Sequence, residues 1–230
     1  MSNANLQKIS NNSLNAVDLV KFIMAFCVIA GHTNPMAWCD NETAVVIYYI
    51  VLSYAVPFFF LSSAYLLGRK INAAKDNRYL PLDVYLKKTI RTYVLCSVLY
   101  FPLAIAYYIK NGYSVSMMIT DYWKGFIFWG EHYNSWQFWY LLSTIYALLF
   151  IRILIACKLN MFQIAIIGLC CIPLMLGIDE LVSYDGSLPV FLEYLRGLLQ
   201  RTIRNSRLLQ GFVMIPLGLF LSGHSLSKRF

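Results

Sequence analysis

Charged residues are scarce in this 230-residue chain: they make up 13% of it, and hydrophobic residues make up 59%. A soluble globular domain normally carries about a quarter charged residues, so this composition excludes that class. Acidic residues are the scarcest, with 11 Asp and Glu against 19 Lys and Arg. The cations fall in short loops between apolar runs, where retention on the cytoplasmic side of a membrane explains them. We therefore exclude nucleic acid as a partner and expect a polytopic membrane protein.

The cysteines indicate neither disulfide bonds nor a metal site. The chain has six, of which five lie in apolar runs and only Cys39 lies in a loop, with no metal-ligand spacing among them. Neither a disulfide framework nor a metal site is predicted. Internal repeats, low-complexity tracts and a cleavage site after the first apolar run are missing as well. The sequence predicts one membrane domain over residues 1–230, with a polar N-terminus at 1–15 and a retained first helix.

Six apolar runs approach the length of about 20 residues that a bilayer requires, which predicts an all-α transmembrane bundle. The basic connection after the second run contains seven cations, so the positive-inside rule predicts an inner (plasma) membrane protein with a cytoplasmic N-terminus. A seventh apolar segment, Leu188–Leu199, is too short to span, and we expect it to be interfacial or re-entrant. The six predicted spans are Ala16–Thr33, Ala44–Leu67, Thr92–Ile109, Trp136–Cys157, Met161–Ile178 and Leu208–Ser222.

Lys21 and His32 are the most informative pair. Eleven helical steps end about 20° from a whole number of turns, so both side chains share one helix face about 16 Å apart. Asp18 projects from nearly the same stripe. Ionisable groups in a membrane helix are costly and commonly mark an interior site. The simpler alternative is that Asp18 and Lys21 extend to one headgroup layer and that His32 lies at the other.

The pattern of residues 18–22 (DLVKF) followed by His32, with VPFFFLSSAYLL at 56–67, resembles the membrane-bound acyltransferase-3 family. The spacing of Lys21 and His32 matches that family's basic residue and histidine, and QFWYL at 137–141 resembles its later aromatic motif. Residues 85–93 (YLKKTIRTY), Arg204 and the glycines that follow it resemble further family segments. The family usually has His at position 137 and Gly at 64, and more membrane helices. The resemblance therefore implies a short or truncated member.

The resemblance implies transfer of an acyl group, most simply acetyl, from acyl-CoA to a hydroxyl of a cell-surface or exported carbohydrate. No tightly bound cofactor or metal is expected, acyl-CoA is the co-substrate, and membrane lipid and the carbohydrate acceptor are the other partners. Neutral imidazole suits deprotonation of a hydroxyl at neutral pH, which makes His32 the candidate general base. Trp136, Trp139 and Arg204 are the candidate substrate-binding residues. Cations would hold the phosphates of the coenzyme: Lys21, Arg69, Lys70, Lys87, Lys88 and Arg91.

Two other functions remain open. One is a small transporter or channel-like subunit in which Asp18, Lys21 and His32 line a path. The other is a catalytically inactive acyltransferase remnant. Glu131 and His132 lie in a loop rich in tryptophan and tyrosine, which we interpret as an interfacial aromatic belt, with a sugar-binding floor as the alternative. If His32 is the general base, replacing His132 has little effect on acyl transfer.

Overall fold

The computed structural model describes residues 3–74, 79–132, 135, 137–202 and 206–223. Over these ranges the chain is helical and contains no strand, which confirms the all-α prediction. The chain divides into two compact units, Met1–Ser63 and Ala64–Phe230. The α-helices of the described ranges are α1 (Asn3–Thr33), α2 (Glu42–Ser53), α3 (Ala55–Ala73), α4 (Tyr79–Lys110), α5 (Val115–Lys124), α6 (Phe138–Ala156), α7 (Met161–Leu169), α8 (Cys171–Ser183), α9 (Val190–Thr202) and α10 (Gln210–Gly223).

Within the described ranges, six helical segments are long and apolar enough to cross a membrane, as the sequence predicted. The third one is longer than expected because α4 begins at Tyr79, so Lys87, Lys88 and Arg91 of the connection assigned to a loop lie on this helix. Pro102 lies inside α4 without ending it. Pro57 lies in the first turn of α3, where a missing N–H is tolerated. The observed segments are Ala16–Thr33, Glu42–Ala73, Tyr79–Lys110, Phe138–Ala156, Met161–Ser183 and Ser206–Gly223.

In the first unit, α1 and α2 form a hairpin. The Tyr48 hydroxyl donates to the Ala30 carbonyl at 2.7 Å, and the Tyr49 hydroxyl bonds the Asn34 side chain at 3.1 Å. Asn41 begins α2 by accepting a hydrogen bond from the Ala44 amide at 3.0 Å. No residue of the Ala16–Thr33 window is buried, so its apolar side chains are left facing outward, as a lipid-facing helix requires.

The core of the second unit forms where α6 packs against α4 and α10. Ser143 of α6 donates to the Leu208 carbonyl at 2.7 Å and accepts from the Gly211 amide at 3.1 Å. A Cβ at Gly168 of α7 would lie 2.9 Å from Pro216 Cβ of α10. Small residues therefore let these helices approach closely, and a hydroxyl satisfies the backbone groups at their junction.

Near the start of α4, Asp83 pairs with Arg152 of α6. The Arg152 Nε lies 2.7 Å from Asp83 Oδ1, and the guanidinium lies over the Tyr79 ring at 5.8 Å from its centroid. The planar guanidinium can make both contacts at once. The pair links two candidate spans at one end of the second unit.

Candidate functional site

A five-residue π-helix, Gly125–Trp129, continues directly from α5. Its defining bond runs from the Gly130 amide to the Gly125 carbonyl at 2.8 Å, an i to i+5 pairing. Upstream, Ser114 caps α5 by accepting from the Met117 amide at 3.3 Å. π-helical turns are rare and are often found at functional sites, because they displace side chains from the regular helical register.

Tyrosines from two other helices stabilise the π-helix. The Tyr93 hydroxyl of α4 donates to the Phe126 carbonyl at 2.6 Å, and the Tyr146 hydroxyl of α6 donates to the Ile127 carbonyl. These carbonyls lie at a helix end, where intrahelical partners run out. Gly130 then ends the helix with φ of +65°, and a Cβ there would lie 2.5 Å from Trp139 Cα. Glycine is therefore required at Gly130 on both conformational and steric grounds.

His132 is buried immediately after this turn. Its ring stacks on Tyr122 of α5, with centroids 4.3 Å apart and planes 5° apart. A Cβ at Gly125 would lie only 2.5 Å from His132 Nδ1. The His132 amide donates to the Ser135 hydroxyl at 2.7 Å. We call Asp121, Tyr122, Gly125, His132 and Ser135 the His132 cluster.

The imidazole of His132 is neutral at physiological pH. Burial lowers the pKa of His132 to about 4, although the negative charge of Asp121 partly opposes this shift. Burial also raises the pKa of Tyr122. In the described part of the chain, neither ring nitrogen of His132 has a hydrogen-bond partner. A buried imidazole of this kind offers one donor and one acceptor to a water or ligand that reaches it.

The residues predicted from sequence are spread over both units, and two of them lie outside the described residues. His32 is exposed in the last turn of α1, and Lys21 is half-buried on the same helix. Trp139 is half-buried on α6, while Trp136 and Arg204 lie outside the described residues. Of the predicted coenzyme-binding cations in the second unit, Arg69 is half-buried and four are exposed: Lys70, Lys87, Lys88 and Arg91.

The aromatic-belt interpretation placed His132 in an interfacial loop, and the structure buries it instead. The physical reason is local: the π-helix and the left-handed Gly130 turn the chain back onto α5. The two glycines that flank this segment were the available signal, since each marks a close backbone approach. Composition alone did not distinguish a stacked histidine from an exposed one.

A cavity of about 530 Å³ lies beside α9, remote in sequence from the His132 cluster. Its lining is mainly apolar with one carboxylate. Among the described residues, no group of three His, Cys, Asp or Glu side chains could hold a metal ion. The cavity is lined by Leu188, Val190, Glu193, Tyr194, Gly197 and Leu198.

The chain is similar to three curated racemases. An amino-acid racemase of Enterococcus faecalis is 26% identical over 147 residues, covering 59% of this chain and 20% of the relative. A second from the same species is 36% identical over 126 residues, covering 54% and 17%. A serine/alanine racemase of Enterococcus gallinarum is 29% identical over 91 residues, covering 39% and 13%. The chain thus spans at most about a fifth of the length of these relatives. No family model and no solved structure matches it.

These similarities correct the functional predictions made from sequence. The relatives are named as racemases, so the acyltransferase-3 assignment and acyl transfer to a carbohydrate are wrong. Acyl-CoA as co-substrate falls with them, and the transporter and inactive-remnant alternatives have no support. The short motifs misled because apolar and aromatic residues recur in many membrane helices. His32 as a catalytic base and the cations as phosphate ligands had their roles from that resemblance, so those roles are not carried further.

Proposed function

We propose that this chain acts in amino-acid racemisation at a membrane, with its apolar helices holding the activity in the bilayer. The observation that carries the proposal is the similarity of more than half of the chain to two amino-acid racemases. The six candidate spans support the membrane part of the proposal. Serine and alanine are the proposed substrates, because a third relative is named for them.

The described helices serve as the membrane part of this function, separate from the proton transfer itself. Racemisation removes the α-hydrogen and returns one to the opposite face, so it needs acid–base groups on both sides of a bound substrate. The His132 cluster supplies one imidazole, sealed between Tyr122 and Gly125. Among the described residues, the lining of the cavity beside α9 does not include His132.

Amino-acid racemases commonly use pyridoxal phosphate, which supplies an electron sink for the α-carbanion when it is bound. The group needs a lysine amine in a pocket and donors for its phosphate. Among the described residues, no lysine is buried. The cavity beside α9 carries Glu193 and no cation in its lining. These residues do not fit the group, and we derive no step through it.

The proposal is tested in the cells to which the chain is native. A tag is added at the N-terminus, membranes are separated from the soluble fraction, and the tagged protein is purified in mild detergent. Conversion of L-serine and L-alanine to the D forms is then measured in each fraction, with pyridoxal phosphate added. We expect the conversion to sediment with membranes and to copurify with the tag.

The matched control is the same cell line with the gene disrupted. Its membranes should lose the racemisation while retaining other membrane activities. Two results together would contradict the proposal: the purified tagged protein converts neither amino acid, and the membranes that contain it racemise no faster than those of the disrupted line.

A further inference from the structure

Helix α9 is amphipathic, and the protein covers only part of its apolar face. Leu192, Leu195 and Leu199 share one face and are half-buried. Val190, Phe191 and Tyr194 continue this apolar surface around the helix to its outward face, where they are 88%, 72% and 73% exposed. The exposed part of the apolar surface needs a second apolar environment besides the protein. At 13 residues, α9 is too short to cross a bilayer.

The inward face of α9 is fixed against the end of α8. The Gln200 amide donates to the Val182 carbonyl at 3.2 Å, and the Arg196 guanidinium donates to the Tyr184 carbonyl. These bonds hold α9 at the level where the candidate span Met161–Ser183 ends. The orientation of α9 is thereby set, and its outward face cannot simply turn toward the protein.

The start of the next span is held at the same level. The Asp179 carboxylate accepts hydrogen bonds from the Ser206 amide at 2.9 Å and from the Ser206 hydroxyl. Asp179 lies in the last turns of α8, and Ser206 begins the candidate span Ser206–Gly223. Because α9 lies between the ends of two candidate spans joined in this way, insertion of those spans in a bilayer places it at the depth of a membrane surface.

The cavity of about 530 Å³ opens along this outward face. Leu188, Val190, Tyr194 and Leu198 provide most of its wall. Its volume falls within the range of pockets that hold small ligands. Gly197 leaves space in it, since a Cβ there would meet no atom within 4 Å.

We propose that α9 lies in the membrane interface with Val190, Phe191 and Tyr194 in contact with lipid, and that the cavity beside it holds an acyl chain of a bilayer phospholipid. The occupant is a lipid because the exposed face and the cavity are contiguous and lie at the ends of two spans. The inference is independent of racemisation, and it goes beyond membrane insertion of the six spans.

The first experiment measures contact with lipid. Labels are placed singly on a variant whose six cysteines are replaced by alanine, reconstituted in phosphatidylcholine vesicles. A bimane fluorophore is attached at Phe191→Cys, the position under test. Val98→Cys, at an exposed position of α4, is the lipid-facing reference, and Ser187→Cys is the water-facing control. Phosphatidylcholine with nitroxide-labelled acyl chains then quenches the bimane fluorescence.

We expect quenching at Phe191 to reach at least half of that at Val98, and quenching at Ser187 to be several-fold weaker. Quenching at Phe191 as weak as at Ser187, while Val98 is strongly quenched, would overturn the proposal and leave membrane insertion intact. A Val98 label that is not quenched would overturn the proposal and the membrane placement together.

A second experiment tests the cavity. Gly197→Phe places a ring in the cavity, whereas Gly177→Phe on α8 adds the same ring at another position where a Cβ would meet nothing within 4 Å. Phospholipid that copurifies with each protein in mild detergent is counted by native mass spectrometry. We expect Gly197→Phe to lose one bound phospholipid relative to the unmodified chain and Gly177→Phe to keep it. Equal lipid counts in all three proteins would overturn the cavity assignment.

Discussion

Replacing Gly125 by alanine tests the packing of the His132 cluster directly. The added Cβ would lie 2.5 Å from His132 Nδ1 and 2.6 Å from the Glu131 carbonyl oxygen. Both neighbours are held: the ring is stacked on Tyr122, and the carbonyl belongs to the backbone. Overpacking of this kind costs about 1–3 kcal/mol, while alanine gains about 1 kcal/mol in helix propensity over glycine. We therefore expect Gly125→Ala to lower the free energy of unfolding by up to about 2 kcal/mol.

The assay is reversible unfolding in mixed micelles, followed by circular dichroism, with Gly177→Ala as the matched control. Gly177 has open space at its Cβ position, so alanine there should leave the stability equal or raise it by up to about 1 kcal/mol. Combining Gly125→Ala with His132→Ala should recover part of the loss, because the ring in the way is removed. A Gly125→Ala protein as stable as the Gly177→Ala protein would refute the packing described for His132.

Three further predictions concern the wider molecule. The free energy of unfolding should fall as pH drops from about 6.5, where an unfolded histidine takes up its proton, to about 4, the pKa of folded His132. Unfolding titrations of a His132→Phe variant should show a smaller fall over the same pH range. Asp179→Asn should lower the free energy of unfolding by about 1–2 kcal/mol in the same assay, because it weakens the hydrogen bonds from Ser206. Glu180→Gln should leave the free energy of unfolding unchanged, and equal losses in the two variants would contradict the role of Asp179. A cysteine at exposed Ala73, beside the basic connection, should resist an impermeant maleimide added to intact cells, and efficient labelling would reverse the predicted orientation.

The helical architecture was predictable from sequence because apolar runs of bilayer length permit few alternatives. Each of the six predicted spans overlaps one of the candidate spans in the described residues. The boundaries were less predictable. Lys87 and Lys88 were assigned to a loop, but both residues are part of α4. Long cationic side chains are also compatible with an exposed helix surface.

The candidate site was not predictable in the same way. His32 drew attention because of its spacing from Lys21, which a helix fixes locally. His132 depends on contacts between elements: a π-helix held by tyrosines of α4 and α6, and stacking on Tyr122. Such tertiary arrangements leave only weak traces in sequence, here the glycines at 125 and 130.

The function inferred from sequence failed for a related reason. The motifs that suggested an acyltransferase are short and largely apolar, and membrane helices draw on few residue types. Similarity extending over more than half of the chain pointed to amino-acid racemases instead.

We propose that this protein acts in amino-acid racemisation at a membrane, and exchange of the α-hydrogen with solvent tests that proposal. Membranes containing the protein, and matched membranes from cells with the gene disrupted, are incubated with L-serine and L-alanine in deuterium oxide. Racemisation through loss and return of the α-hydrogen must place deuterium on the α-carbon of the D product, which mass spectrometry detects as a gain of about one mass unit. We expect α-deuterated D-serine or D-alanine only in membranes that contain the protein. Equal deuterium incorporation in both membrane preparations would contradict the proposal.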